Sequence, residues 1–270
     1  MKYISSLQNP IIKETLQLLE KSRLRKSRGQ FVAEGLNELK MCLKAGYQFR
    51  TVFYCEDDIS LEELYAWFAP MRPEADFISV SAEVMRKLAY RSGVKNAVAV
   101  AEAKTISVPQ EIKSKSPFYL IAESVEKPGN LGALLRSADA SGTTAVILCD
   151  PAVDIYNPNV IRSSVGCVFS VPVLVMSPQE TLTFLKENKI SIYTTFMDNA
   201  VSIWNQDLTR PSAVVVGTES SGLSDFWKTA GTNVNIPMFG LVDSLNVSTA
   251  AALMMFEMAR QRTRLGGANE

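Results

Sequence analysis

Three short polar islands in the second half of the chain hold the residue types that could do chemistry. The first runs from Lys127 to Arg136 and carries Asn130, Gly132 and Arg136. The second, Gly217 to Leu223, sets Glu219 between two glycines. The third, Ile236 to Ser248, carries Ser244 and Asn246. Each lies where an apolar, strand-like run gives way to a loop or helix. In an open α/β domain ligands bind in the crevice beyond the carboxyl ends of the strands. Convergence of the islands would bring Asn130, Arg136, Glu219, Ser244 and Asn246 into one site for a polar or anionic substrate. The chain has no histidine, so a general base would be a carboxylate, Lys, Arg, Tyr, Cys or a group of the substrate. Each residue also has a plain structural reading. Asn130 suits a helix cap, Arg136 a snorkelling surface charge and Glu219 a solvated turn, and Ser244 or Asn246 suits the cap of the last helix. Their joint occurrence at three separate strand ends favours the functional reading.

The elements that must position these islands follow from periodicity. Strands are expected at 118–122, 145–149, 171–175, 190–196, 213–216 and 234–237. Helices are expected at 131–141, 158–169 and 179–188, near 224–229, and from about 244 to 264. Near-continuous apolar strands alternating with helices predict a parallel sheet covered on both faces. The first third alternates as well. Helices are expected at 10–20 (capped by Asn9), 36–45, 61–68 and 83–89, and strands at 31–33, 51–55, 77–80 and 98–101. That pattern is a small α/β/α sandwich. Residues 106–117, rich in Ser, Lys and Pro with little periodicity, read as a linker. The expected domains are therefore 1–105 and 118–270.

Composition narrows the classes. Apolar residues make up 47% and charged residues 21%, as in ordinary globular proteins. No run approaches the ~18–20 apolar residues of a membrane span, and the opening residues have no secretory h-region. Four scattered cysteines without a C-x-x-C pair argue against a metal site and fit a reducing cytoplasm. Net charge is zero, yet residues 1–50 hold 10 Lys and Arg against 4 Asp and Glu. Arg23, Arg25, Lys26 and Arg28 form a cluster that suits phosphate contact, with a solvated helix end as the plain alternative. The first strand-to-helix turn, Gly129 to Gly132, lacks the G-x-G-x-x-G of a dinucleotide fold, which weakens an oxidoreductase reading. The final helix is apolar almost all round between Ala250 and Ala259, which predicts a second buried face and a partner subunit.

The three islands, in this order, resemble the motifs of the SpoU (TrmH) family of RNA ribose 2′-O-methyltransferases, in the SPOUT superfamily. Ile236-Pro237-Met238 with Ser244 to Ser248 is the most specific match. Ser6 to Pro10, the basic cluster and Phe31 to Gly35 resemble the L30e-like RNA-binding domain often joined to such enzymes. Lys127 stands where the family often has Asp, and Ser220 where it often has Gly. The resemblance implies an α/β chain with a parallel-sheet domain tied in a trefoil knot, binding S-adenosylmethionine without a metal. By motif, Thr195, Gly217, Ile236, Met238, Leu245 and Val247 would meet the cofactor, with residues 194–198 as another wall. Arg136 would act on the ribose hydroxyl, as base or as stabiliser of a developing alkoxide. Asn130, Glu219, Ser244 and Asn246 would orient Arg136, ribose and phosphate. The resemblance implies a homodimer acting on RNA, ribosomal RNA above transfer RNA. An RNA-binding protein with an inactive methyltransferase fold is the alternative.

Overall fold

A computed structural model describes residues 2–69, 71–89, 96–104, 114–218 and 221–264. Most of the expected linker, and Glu219 and Ser220, lie outside the described residues. In chain order the elements are β1 (Lys2–Ile4), α1 (Pro10–Glu20), α2 (Ser22–Arg28), β2 (Gln30–Glu34), α3 (Leu36–Lys44), β3 (Phe49–Tyr54), α4 (Leu61–Phe68), β4 (Asp76–Val80), α5 (Ala82–Leu88) and β5 (Ala97–Glu102). There follow β6 (Phe118–Glu123), α6 (Pro128–Ser141), β7 (Ala145–Cys149), α7 (Pro158–Ser163), α8 (Cys167–Ser170), β8 (Val173–Met176) and α9 (Pro178–Glu187). The chain ends with β9 (Ser191–Thr194), β10 (Val201–Ser202), β11 (Ser212–Val216), β12 (Thr232–Asn235) and α10 (Val247–Arg264). Single 3-10 turns cover Ile203–Asn205 and Asp225–Trp227.

The chain divides into two compact units, and the division departs from the expected one. Residues 154–170, placed by sequence in the second domain, belong to the first unit. That unit is built on a five-stranded sheet in the order β1-β4-β3-β5-β2. β1, β4 and β3 are parallel, and β5 runs antiparallel to both β3 and β2. α1 starts as its sequence predicts. Asn9 Oδ1 accepts from the Ile11 amide at 3.0 Å, Pro10 takes the first helical position, and Ile12, Thr15 and Leu18 form the buried stripe. The 154–170 segment is held by a cluster of aromatic rings. Phe31 stacks on Tyr156 with centroids 4.4 Å apart and meets Phe169 at 5.6 Å. The helix expected over 158–169 breaks at Val165 and Gly166, both at positive φ. A Cβ on Gly166 would lie 3.2 Å from the Glu38 backbone, so glycine lets this segment close on α3.

The second unit has a seven-stranded sheet ordered β10-β12-β9-β11-β6-β7-β8. Every pairing in it is parallel. β7 and β11 are buried at every residue, the signature of a sheet covered on both faces. α6 begins three residues before the expected start, because Pro128 occupies its first turn, where a missing amide costs nothing. α10 packs along α6. Among the described residues no helix is long and apolar enough to cross a membrane.

Candidate active site

The strand order puts the islands side by side. β11 lies between β9 and β6, and β12 flanks β9, so the loops leaving β6, β9, β11 and β12 share one carboxyl edge. The loop after β11 is closed on itself. Thr218 and Gly222 exchange backbone hydrogen bonds at 3.0 and 3.2 Å, and the Ser221 amide donates to Thr218 Oγ1 at 3.0 Å. A Cβ on Gly217 would sit 2.1 Å from the Gly222 carbonyl, so this turn requires glycine there.

Behind the loop lies a cavity of about 260 Å³. All six residues that the motif resemblance assigns to the cofactor line it: Thr195, Gly217, Ile236, Met238, Leu245 and Val247. Val216, Val234, Ala250 and Met254 extend its apolar wall, and Asn235 and Asp243 add polar groups. Ser244, expected among the catalytic residues, lines this same cavity. The 195–198 loop is pinned to β12. Thr194 Oγ1 donates to Asn233 Oδ1 at 2.7 Å, and the Asn233 amide donates to the Asp198 carbonyl at 3.0 Å. A mostly apolar cavity with a few polar groups in its lining suits a nucleoside cofactor, and the residues present fit S-adenosylmethionine.

A smaller cavity of about 80 Å³ adjoins it, lined by Lys127, Asn130, Gly217, Thr218 and Val247 among others. Asn246 Nδ2 donates to Asn130 Oδ1 at 3.2 Å, so the first and third islands meet directly. Asn246 also caps α10, its Oδ1 accepting from the Ser248 amide at 2.9 Å. The cap reading of Asn246 therefore holds, and the same side chain joins the first and third islands. Asn130, by contrast, is not a cap. It sits inside the first turn of α6, whose cap position is Lys127. Arg136 is exposed on α6 and lines neither cavity. Six residues on a helix turn it about 120° from Asn130.

Sequence reasoning missed Glu123. This carboxylate ends β6 and is 6% exposed. It accepts from the Ser224 amide at 2.8 Å, the Ser224 hydroxyl at 2.7 Å and the Trp227 indole at 2.9 Å. It thereby anchors the chain just after the Gly217–Leu223 turn. The available signal was a lone acid closing an apolar strand at the carboxyl edge.

The basic cluster is divided by its own helix. Arg25 is buried, donating Nε to Asp154 at 2.6 Å and Nη1 to the Leu18 and Leu19 carbonyls at 2.7 and 3.1 Å. That corrects the expectation that it contacts RNA. Arg23, Lys26 and Arg28 are exposed, and Arg28 pairs with Glu14.

Comparison with known proteins agrees with this geometry. Residues 117–256 match the SpoU rRNA Methylase family, and residues 9–99 match an MRM3-like substrate binding domain. The chain belongs to the SpoU rRNA methylase family. A 23S rRNA (uridine(2479)-2′-O)-methyltransferase of Streptomyces viridochromogenes is 28% identical, over 91% of this chain and 88% of the relative. A crystal structure of an RNA 2′-O ribose methyltransferase superposes with a TM-score of 0.83 at 37% identity, covering 97% of this chain and 99% of that one. The S. viridochromogenes SpoU methyltransferase AviRb in complex with AdoMet superposes with a TM-score of 0.83 at 26% identity, over 95% of this chain and all (100%) of that one.

Proposed function

We propose that this member of the SpoU family, an S-adenosylmethionine-dependent RNA 2′-O-ribose methyltransferase, modifies large-subunit ribosomal RNA in the cytoplasm as a homodimer. The observation that carries the reading is the junction at Gly217, Thr218 and Val247. These three residues line both the apolar cavity and the Asn130 cavity, so a methyl donor and an acceptor ribose would meet across one loop.

Bound S-adenosylmethionine supplies an activated methyl on a sulfonium. The residues of this chain must then align the acceptor oxygen and deal with its proton. The Asn246–Asn130 hydrogen bond fixes the amide that faces the acceptor cavity. Ser244 and Asn246 sit where α10 starts, and a helix N-terminus favours the acceptor's phosphate. Glu219, the acid of the second island, orients the ribose. Arg136, on the exposed face of α6 outside both cavities, carries the positive charge that steadies the oxygen as its proton leaves, or takes that proton itself, once the acceptor RNA lies along that face. Arg23, Lys26 and Arg28 on α2 supply phosphate contacts.

Homodimer formation is supported by exposed apolar side chains in the second unit. Phe239 and Leu241 are 94% and 106% exposed, and Leu253 and Phe256 are exposed on α10. The helix expected to be buried all round thus keeps one apolar face open, which a second copy would cover.

Isothermal titration with S-adenosylmethionine, followed by mapping of 2′-O-methyl sites in ribosomal RNA from a deletion strain, tests the reading. Binding together with one lost methyl site in large-subunit RNA is expected. A folded protein that binds neither S-adenosylmethionine nor its demethylated product overturns it.

A further inference from the structure

A second cavity, of about 670 Å³, opens on the same carboxyl edge at the ends of β6, β7 and β8. It shares Thr218 and Gly222 with the cofactor cavity, so the β11 loop is a wall common to both. Its volume lies within the ~300–1,000 Å³ of small-molecule sites, and no motif residue of the cofactor set explains it.

The lining has a definite chemistry. Phe226 lines the cavity and is 37% exposed. The ring is not loose, because Trp227 meets it edge-on with centroids 5.1 Å apart. Trp227 is in turn fully buried and held through its indole N–H by Glu123. A fixed, exposed ring is a stacking platform, and every nucleobase has a face to lay on one. Asp150 and Asp225 line the cavity and are exposed. Carboxylate oxygens accept hydrogen bonds, so they favour a ligand edge rich in donors, such as the N–H groups of a base. No Lys or Arg is among the described lining residues, which disfavours a phosphate as occupant.

We propose that this cavity receives an unpaired nucleobase of the acceptor RNA, stacked on Phe226, with Asp150 and Asp225 accepting from its ring and exocyclic N–H groups. Guanine suits it best, because N1–H and N2–H together match one carboxylate. The inference rests on the methyltransferase reading and deepens it. The cofactor cavity holds the donor and the Asn130 cavity the ribose. This third space reads a base and selects the target.

The test uses the full chain and an unmethylated large-subunit ribosomal RNA transcript, with RNA affinity measured by filter binding without cofactor. Phe226→Leu removes the stacking face and Phe226→Tyr keeps it. We expect Phe226→Leu to raise the RNA Kd about tenfold, within the range of one lost base stack, and Phe226→Tyr to restore it. The double variant Asp150→Asn, Asp225→Asn should also raise it several-fold. S-adenosylmethionine affinity should hold in every variant. A Kd within twofold of wild type for either Phe226→Leu or the double Asn variant overturns the proposal, as does a Tyr variant that behaves like the Leu one. Failure of the methyltransferase reading is separately visible, as wild-type protein that binds no S-adenosylmethionine.

Discussion

The two units carry their candidate functional residues in opposite ways. In the second, side chains and backbone come from four loops that the parallel sheet delivers to one edge, and Asn130 and Asn246 meet although 116 residues apart. In the first, the candidate contacts sit in a single seven-residue helix, α2. A motif scattered over strand ends is legible because the topology brings every such end together. A run of charge in one helix is not, because helical periodicity sorts it. One turn of α2 sends Arg25 inward onto Asp154 and leaves Arg23, Lys26 and Arg28 outside.

Breaking the buried member of that run should have the largest effect on stability. Arg25→Ala leaves Asp154, 8% exposed, without its ion pair, together with the Leu18 and Leu19 carbonyls. Removing one partner of a buried pair costs about 3–5 kcal/mol. Urea unfolding should report that loss for Arg25→Ala, whereas Arg23→Ala should change stability by less than about 0.5 kcal/mol. Equal effects would mean that α2 is not sorted as described.

The corresponding break in the second unit is Arg136→Ala. Single-turnover methylation should fall about a hundredfold or more, as when one stabiliser of developing oxyanion charge is lost. Arg136→Lys should recover it only in part, since an ammonium lacks the planar fork. Cofactor affinity should survive, because Arg136 does not line the cavity proposed for the cofactor. A rate within threefold of wild type, under about 1 kcal/mol of barrier, would make Arg136 a surface charge.

Much of the fold was legible where caps bracket a periodic run. α1 and α4 occupy the ranges read from sequence, with Asn9 and Ser60 as caps, and β7 matches residue for residue. β1 and β10, of three and two residues, are too short to show a period. The reassignment of residues 154–170 was invisible for another reason. An apolar helix pattern states that a face is buried but not against what. In the site, motif order made legible that Thr195, Gly217, Ile236, Met238, Leu245 and Val247 share one cavity. Glu123 was not, because its role lies in hydrogen bonds to Ser224 and Trp227, about a hundred residues downstream, which no local pattern encodes. Glu219 remains an expectation, since it falls outside the described residues.

The exposed part of α2 gives a smaller, purely electrostatic effect. Replacing Arg23, Lys26 and Arg28 together by Ala should weaken RNA binding about ten- to a hundredfold near 0.1 M salt. It should also flatten the plot of log K against log salt by up to about three, one per lost phosphate contact. Adding Arg25 to the set should lower stability without flattening that slope further. An unchanged slope for the triple variant would make α2 a solvated surface.

The smallest expected effect compares the units through their thiols. Burial pushes up both Cys42 in the first unit and Cys149 in the second, the latter to about 11. For Cys149 the hydrogen bond with Thr181 works against burial, and the Glu123 and Asp150 carboxylates work with it. The native state therefore keeps a proton that the unfolded chain releases above its ordinary value of 9.0. Unfolding then releases protons, so stability falls as pH rises. The Cys149 contribution is whole below pH 9 and is lost between 9 and about 11. Urea unfolding at pH 8 and pH 10.5 should show this decline in the wild type and a shallower one in Cys149→Ala, once each is referred to its own stability at pH 8. Because Cys42 lies in the other unit, Cys42→Ala should flatten the decline independently, and the double variant should sum the two. Parallel declines in the wild type and Cys149→Ala would mean that water reaches the end of β7 and that the thiol ionises there as freely as in the unfolded chain.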